Sequence, residues 1–224
     1  MTGYHFTDCD CLSDGNPVPA IGEVLTHEGD IEPCVSGLHA SADPFDALQY
    51  ASGSQLHKVE LDGELQEHGD PVDTVVGRRR TIIATIDGEF LLRSFSRWCA
   101  LQVVDAWDAP QVVRDYLESG DETLRDTAWI AARSAVEIAD CSTAGRAAMM
   151  AAAGAAGRAA ELADCNAVWN ASRSAAMRAA ELADNSTAWS AARIAARSAQ
   201  RKQFCAMVDA AFAQHESELV TLNP

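Results

Sequence analysis

The chain has 224 residues, and its 33 Asp and Glu against 17 Lys and Arg give a net charge of −16 at neutral pH. This balance excludes a protein that holds nucleic acid on a broadly basic surface, because acidic groups repel the phosphate backbone. The excess lies entirely in residues 1–126, with 24 acidic and 8 basic side chains, whereas residues 127–224 carry 9 of each. The length allows one large or two small domains with cores of their own.

The acidity is greatest at the start, where the first 50 residues contain nine acidic side chains and no Lys or Arg. A one-sided acidic field speeds encounters with basic partners and disfavours others. We therefore predict a basic, nucleic-acid-binding protein as the partner, and no direct binding of nucleic acid. The predicted partner-binding residues are Glu23, Glu28, Asp30, Glu32, Asp43 and Asp46.

Cysteine usage and the apolar runs bear on the compartment. The seven cysteines are odd in number and scattered over both halves, which is typical of reduced thiols in a cytoplasm. The first ten residues lack a basic region and an apolar run, so no signal peptide is predicted. The longest apolar stretch, residues 147–157, is about half of the roughly 20 residues that span a bilayer. The sequence predicts a cytoplasmic protein without membrane contact.

Residues 1–88 are predicted to form a strand-rich domain, because turn signals separate short apolar or alternating runs. The turn signals are Asp14–Pro17, Glu28–Asp30, Asp62-Gly63 and Asp87-Gly88. The predicted strand runs include Leu56–Leu61, Thr74–Val76 and Thr81–Ile86. One helix interrupts them, since Ser41 or Asp43 can cap it and Pro44 suits its first turn.

From residue 89 the hydrophobic period is helical. It predicts one helix up to Trp107 and another over Gln111–Glu118, closed by Gly120. Beyond residue 126 the chain is Ala-rich and repeats every 20 residues, as marked by Trp129, Met149, Trp169 and Trp189. A continuous helix would rotate each copy by about 200°, so the repeats predict separate helices in an antiparallel hairpin array.

Short polar residues mark the predicted breaks between these helices. The breaks are Asp140–Ser142, Asp164–Asn166 and Asp184–Ser186. Arginine follows each tryptophan by four residues, at Arg133, Arg173 and Arg193. We expect these arginines to pair with glutamate or to stack on tryptophan.

The sequence as a whole therefore predicts an α+β protein. A small acidic domain over residues 1–88 precedes an all-helical region over 89–224, with the repeats starting near residue 127. An Ala-rich array is marginal on its own, so it needs a packing partner, and a homodimer through these helices would supply one.

Metal and cofactor signals are weak in this sequence. Cys9 and Cys11 form a C-x-C pair with Cys34 and His39 further on, whereas structural zinc uses paired C-x2-C or C-x4-C ligands. No Walker loop, Rossmann fingerprint, nucleophile elbow or HExxH occurs. We predict no metal and no cofactor. The one basic run, Arg78–Arg80, is interpreted as a solvated turn or a strand edge in preference to a phosphate contact.

The most distinctive stretch is Ser36–Ala51, which reads SGLHASADPFDALQYA. A strand-borne His39 followed by Tyr50 and a later glutamate is loosely similar to the order of His, Tyr and Glu in ADP-ribosyltransferases. The later glutamates are Glu60, Glu64 and Glu89. The alternative makes His39 a turn or core histidine and Tyr50 a packing residue. We favour the alternative, since none of these glutamates stands in a distinctive motif.

The segment Cys34–Val76 carries G-L-H-A, A-L-Q-Y and V-E-L-D-G in that order. It resembles an uncharacterised domain family of phage and prophage proteins with G-[FL]-H-A, A-x-x-Y and V-E-L-x-G at these positions. The second half, from Arg97 through the repeats, resembles the Ala-rich helical tails of immunity or bacteriocin-associated proteins. The resemblances imply a small protein of a phage or mobile element, and they imply no activity.

Charge and resemblance together predict a non-enzymatic protein that binds and inhibits a host nucleic-acid-binding defence complex. Such a protein would be of the anti-CRISPR or anti-restriction type, with its acidic surface imitating nucleic acid. Two alternatives stay open: an ADP-ribosyltransferase-like enzyme around His39 and Tyr50, and an immunity protein that neutralises a toxin.

Overall fold

The computed structural model describes residues 1–8, 11–12, 15–138, 165–181 and 186–222. The chain forms two compact units. Unit 1 comprises Met1–Glu89 and Phe204–Pro224, and unit 2 comprises Phe90–Gln203. The strands lie before residue 88 and helices dominate thereafter, which confirms the predicted α+β class.

Unit 1 is built on one antiparallel sheet. Its strands are β1 (Thr2–Thr7), β2 (Val24–Thr26), β3 (Leu38–Ala40), β4 (Gln55–Gly69) and β5 (Val72–Asp87). β4 lies between β1 and β5, and the other edge of β5 pairs with β2 and β3. Just after β3, Tyr4 and Ser41 exchange two backbone hydrogen bonds of 2.7 and 3.0 Å. The hydrogen-bonded path from β1 through β4, β5 and β3 therefore returns to β1.

β4 and β5 form a long hairpin that differs from the predicted pattern. The runs Thr74–Val76 and Thr81–Ile86 are confirmed as strand residues, but both belong to β5. The turn predicted at Asp62-Gly63 is wrong. β4 continues through these residues with a register shift before Leu65, and Gly63 has a φ of +82°. A glycine inside a strand often marks such a bulge, and the hairpin turn lies at Asp70-Pro71.

The basic run Arg78–Arg80 lies inside β5, so its interpretation as a solvated turn or a free edge is wrong. Arg79 is paired with Thr26 on one side and with Asp62 on the other. Arg78 and Arg79 form ion pairs with Glu64 at 2.8 Å and with Asp62 at 2.5 Å. Arg80 is only 4% exposed. Strand alternation separates the exposed Arg79 from the buried Arg80, whereas Arg78 lies on the same face as Arg80 and is partly exposed where it reaches Glu64.

The predicted first helix is confirmed as α1 (Pro44–Ala47), which continues as a 3-10 turn over Leu48–Tyr50. Of the two candidate caps, the side chain of Asp43 accepts a hydrogen bond from Phe45 N at 2.8 Å. The phenyl rings of Phe45 and Phe204 lie 6.1 Å apart. The core of the sheet is an apolar cluster of Ala40, Val59, Leu61, Val75 and Ile82.

The described helices after the sheet are α2 (Glu89–Leu101), α3 (Gln111–Ser119), α4 (Arg125–Ile138), α5 (Cys165–Glu181) and α6 (Ser186–Leu222). The helix predicted up to Trp107 ends at Leu101, followed by a 3-10 turn over Val104–Ala106. The predicted α3 is confirmed, since Gly120 has a φ of 67° and donates its N–H to Tyr116 O. Met149 and the predicted breaks at 140–142, 164 and 184–185 lie outside the described residues.

Within unit 2, polar side chains join α5 to α6. Gln200 Nε2 donates to Ser172 O at 2.8 Å, and Arg197 Nη1 donates to Ser172 Oγ at 3.0 Å. The contacting residues lie about equally far from residues 182–185, which is the arrangement of an antiparallel pair. The buried face of α5 consists of small and medium side chains: Val168, Ala171, Ser172, Ala175, Ala176 and Ala180.

The tryptophans of the repeats are half-buried and carry arginine on their rings. The predicted stacking is confirmed for Trp129 with Arg133, at 5.4 Å, and for Trp189 with Arg193, at 5.2 Å. Trp169 differs, because Arg197 of the neighbouring helix lies 4.3 Å from its ring centroid. Trp169 therefore contributes to the contact between two helices.

Candidate functional site

Four of the six predicted partner-binding residues lie in residues 23–32, which we call the acidic segment. All four side chains are exposed: Glu23, Glu28, Asp30 and Glu32. In the part of the chain that the structure describes, none of them forms an ion pair. The acidic segment therefore presents uncompensated negative charge to solvent.

Strand pairing and side-chain hydrogen bonds hold the backbone of the acidic segment in place. Val24–Thr26 forms β2 on the edge of β5, and Ile31 is buried. Arg78 Nη1 donates to Gly29 O, and Ser36 Oγ donates to Asp30 O at 2.8 Å. The four carboxylates are thus mounted on an ordered backbone.

The other two predicted residues lie elsewhere and are half-buried. Asp43 caps α1 and accepts a hydrogen bond from the thiol of Cys205 at 3.4 Å. Asp46 lies in the first turn of α1, where a carboxylate interacts favourably with the positive end of the helix dipole. The structure thus gives these two acids helix-terminal positions, separate from the acidic segment.

Unit 1 also contains a cavity of about 520 Å³. Its walls come from β1, β3, β5, α1 with its 3-10 extension, and the loop before β3. The lining includes the polar residues His5, His39, Ser41, Tyr50, Thr74 and Arg80. The cavity therefore brings together the two residues of the transferase alternative, His39 and Tyr50.

Both His39 and Tyr50 form hydrogen bonds within unit 1. The ring Nε2 of His39 accepts a hydrogen bond from Cys34 N at 3.0 Å, and burial lowers the pKa of His39. Cys34 has a φ of 63°, a left-handed conformation that a side chain rarely adopts. Burial and a hydrogen bond to Asp73 raise the pKa of Tyr50 to about 12. His39 thus holds the loop before β3, and Tyr50 stays a neutral phenol at physiological pH.

Two further histidines are neutral in this part of unit 1. His57 lies between the hydroxyls of Thr7 and Thr85, each 2.8 Å from a ring nitrogen. Burial, with the nearby Arg80 charge, lowers the pKa of His57 to about 4. The same two causes, in the same order, lower the pKa of His5 well below its usual range. Neutral imidazoles offer hydrogen bonds at pH 7 without adding charge.

The three glutamates of the transferase alternative lie outside the cavity lining. Glu60 is exposed on β4, Glu64 pairs with Arg78, and Glu89 begins α2. Among the described residues no carboxylate lines the cavity. The described lining therefore offers polar and apolar groups to a ligand and contains none of the glutamates named for the transferase alternative.

Three cavity residues were not predicted from the sequence: Arg80, Thr74 and His5. Strand alternation gives one available signal, because Val76, Arg80 and Ile82 all occupy even-numbered positions of β5 and all are buried. An arginine in phase with buried aliphatic residues of a strand indicates an interior position.

The described cysteines do not form a cluster. Cys11 and Cys34 are exposed free thiols, and Cys9 lies outside the described residues. Over the described ranges, no three His, Cys, Asp or Glu side chains are placed to hold a metal ion. Nor is any helix there long and apolar enough to cross a membrane.

The fold defines an α+β protein whose N-terminal antiparallel sheet carries both candidate sites. Residues 1–94 match the family model of a domain of unknown function, DUF7666. The matched range includes all five strands, α1 and the start of α2. The comparisons found no matching curated protein and no matching solved structure.

Proposed function

We propose that this chain is a non-enzymatic binding protein of a phage or mobile element, acting in the cytoplasm of its host. Through the acidic segment it binds and inhibits a basic, nucleic-acid-binding defence complex of the host, as an inhibitor of the anti-CRISPR or anti-restriction type. The observation that carries this proposal is the exposure of four carboxylates on ten consecutive residues that contain no Lys or Arg.

Electrostatics supports this assignment. Charges of one sign on an ordered backbone form a fixed pattern, as phosphates do along nucleic acid. Exposed charges act over a Debye length of about 8 Å at physiological salt, so neighbouring acids of the segment act jointly on a partner. The net charge of −16 extends the attraction to longer range and raises the rate of encounter with a basic protein.

The ADP-ribosyltransferase alternative keeps one supporting observation, which is that His39 and Tyr50 line the same cavity. It ranks second because the His39 ring already accepts the Cys34 N–H and because the described lining contains no carboxylate. The immunity-protein alternative would use the same acidic segment and differs in its partner, a toxin.

The test compares two variants that lose the same number of charges. The segment variant carries Glu23→Gln, Glu28→Gln, Asp30→Asn and Glu32→Gln. The control variant carries Glu67→Gln, Asp70→Asn, Glu118→Gln and Glu216→Gln, which replace four exposed acids elsewhere. Each variant is used to capture partners from host lysate, and the captured protein is then purified and bound to labelled DNA.

The parent chain should capture a basic protein and compete with DNA for it, more weakly as salt rises from about 0.05 to about 0.5 M. The segment variant should lose both properties, whereas the control variant should keep them. Equal behaviour of the two variants, or competition that is indifferent to salt, would contradict the proposal.

A further inference from the structure

We propose that the cavity of unit 1 binds a small organic anion, with a phosphate or carboxylate group directed to Arg80 and an apolar body against the remaining wall. This site is separate from the acidic segment. Binding of a ligand there does not depend on the function proposed above.

The size and lining of the cavity fit such a ligand. Its volume of about 520 Å³ lies within the roughly 300–1,000 Å³ of typical small-molecule sites. Apolar walls come from residues such as Phe6, Leu38 and Ala47, and the hydroxyls of Ser41 and Thr74 belong to residues that also line it. Walls that combine apolar side chains with convergent polar groups suit an organic molecule that carries a polar or charged group.

Arg80 brings a positive charge to the wall of the cavity, in a protein whose net charge is −16. Arg80 is a permanent cation, and the described lining contains no Asp or Glu. Because Arg80 is 4% exposed, its field is weakly screened and acts strongly on a ligand in the cavity. An anionic ligand in the cavity would contact this cation at close range.

Arg80 is also held in position before a ligand arrives. Its Nη1 donates to His39 O at 2.9 Å, and its backbone is paired within β5 to both β2 and β4. A guanidinium has five N–H donors in a planar fork that suits phosphate and carboxylate oxygens. Preorganisation of this kind lowers the entropy lost on binding.

The neighbouring His39 adds no competing charge, because burial lowers its pKa and the ring is neutral at pH 7. His39 Nε2 accepts the Cys34 N–H, so in the neutral ring the proton is on Nδ1. Access to the cavity is available at its rim, where the lining residues Tyr50 and Val35 are 50% and 71% exposed. A side chain placed at Val35 therefore changes the charge at the rim without disturbing the core.

The test uses the full-length chain and isothermal titration with four probes: AMP, adenosine, benzoate and inorganic phosphate. AMP and adenosine differ in the phosphate alone, and benzoate supplies a carboxylate on an apolar ring. We expect at least one of the two organic anions, AMP or benzoate, to bind saturably. If AMP binds, its affinity should be at least tenfold higher than that of adenosine. Inorganic phosphate should bind more weakly than either organic anion that binds.

Variants test whether the ligand binds in this cavity. Arg80→Gln should abolish it, Val35→Asp should weaken it roughly threefold to tenfold, and Val35→Lys should strengthen it, as expected for one partly screened charge. Val24→Asp is the control, since Val24 is exposed on β2 and does not line the cavity. If Arg80→Gln fails to fold by circular dichroism, the opposite effects of the two Val35 variants decide the question.

Three outcomes would overturn the proposal. They are no binding by AMP and benzoate, equal affinity for AMP and adenosine without binding of benzoate, and a loss in Val24→Asp as large as that in Val35→Asp.

Discussion

Arg80 Nη1 donates a hydrogen bond to the backbone carbonyl of His39 across 2.9 Å. This bond connects the interior of β5 to the strand that carries the G-L-H-A motif. On its other side, the His39 ring accepts the backbone N–H of Cys34. The motif therefore joins the basic residue of the cavity to the loop at the cavity rim, a structural role that a catalytic interpretation of His39 would overlook.

Replacing His39 should loosen the loop before β3. In His39→Ala the Cys34 N–H loses its acceptor, which should lower the free energy of unfolding by about 0.5–1.5 kcal/mol and speed amide exchange at Cys34. Tyr50→Phe should change the stability little, because Tyr50 lies half in solvent. Urea unfolding and hydrogen exchange would measure both variants. Unchanged exchange at Cys34 in His39→Ala would show that the ring does not hold the loop.

The stability of the protein should depend on pH through His57. Its pKa is about 4 in the fold and about 6.5 in an unfolded chain, so the unfolded state binds more protons between these values. Stability should be fully present above about pH 6.5 and fall as the pH drops towards 4, with His57 contributing about 3 kcal/mol of the loss.

The measurement for His57 is the melting temperature from pH 4 to pH 7 in matched variants. His57→Gln should show a shallower decline than the parent, since one titrating group is gone. His68→Gln removes an exposed histidine from the same strand and should follow the parent. Parallel declines for all three proteins would show that His57 does not account for the pH dependence.

Gly37 should tolerate no side chain. It has a φ of +105°, and an added Cβ would lie 2.5 Å from Val76 Cγ2 in the core. Gly22 has a similar φ of +86°, with open space around it. In both alanine variants backbone strain should destabilise the fold by about 1 kcal/mol or more. In Gly37→Ala, overpacking of the core should destabilise it by about 1–3 kcal/mol in addition. Denaturant unfolding should therefore rank Gly37→Ala as less stable than Gly22→Ala, and the reverse order would contradict the packing described here.

In unit 2, Trp169 should matter more than Trp189. Trp169 stacks under Arg197 of the neighbouring helix, whereas the arginine on Trp189 lies one turn along the same helix. Because Trp169 is half-buried, Trp169→Ala should cost about 2 kcal/mol, below the range for fully buried tryptophan. Trp189→Ala should cost about 1 kcal/mol. Urea titration followed by circular dichroism would test the order, which an equal loss would refute.

Helix ends with a local capping signal were predicted well from the sequence, whereas the end of α2 at Leu101 was not. The cap at Asp43, Pro44 in the first turn and the left-handed Gly120 act on neighbouring backbone groups, so their signals lie within a few residues. The α+β class followed from hydrophobic period, which is equally local.

Features that depend on distant residues were predicted poorly. Asp62-Gly63 has the composition of a turn, and only pairing with the opposite strand makes it a bulge within β4. Arg80 stands in a run that looks solvated, yet alternation within β5 places it inside. The cavity forms from β1, β3, α1 and β5 together. No single stretch of sequence encodes such a site.

The long β4–β5 hairpin has a consequence for the order in which unit 1 folds. Its pairs range from Gly69 with Val72 at the turn to Gln55 with Asp87 at the open end, so each successive pair closes a loop only slightly longer than the last. The β1–β4 pairs, such as Thr2 with Glu60, close much longer loops at a higher entropic cost. Hairpins form within about 1–10 μs. We therefore expect the hairpin to assemble first and to serve as the template on which β1, β2 and β3 add later.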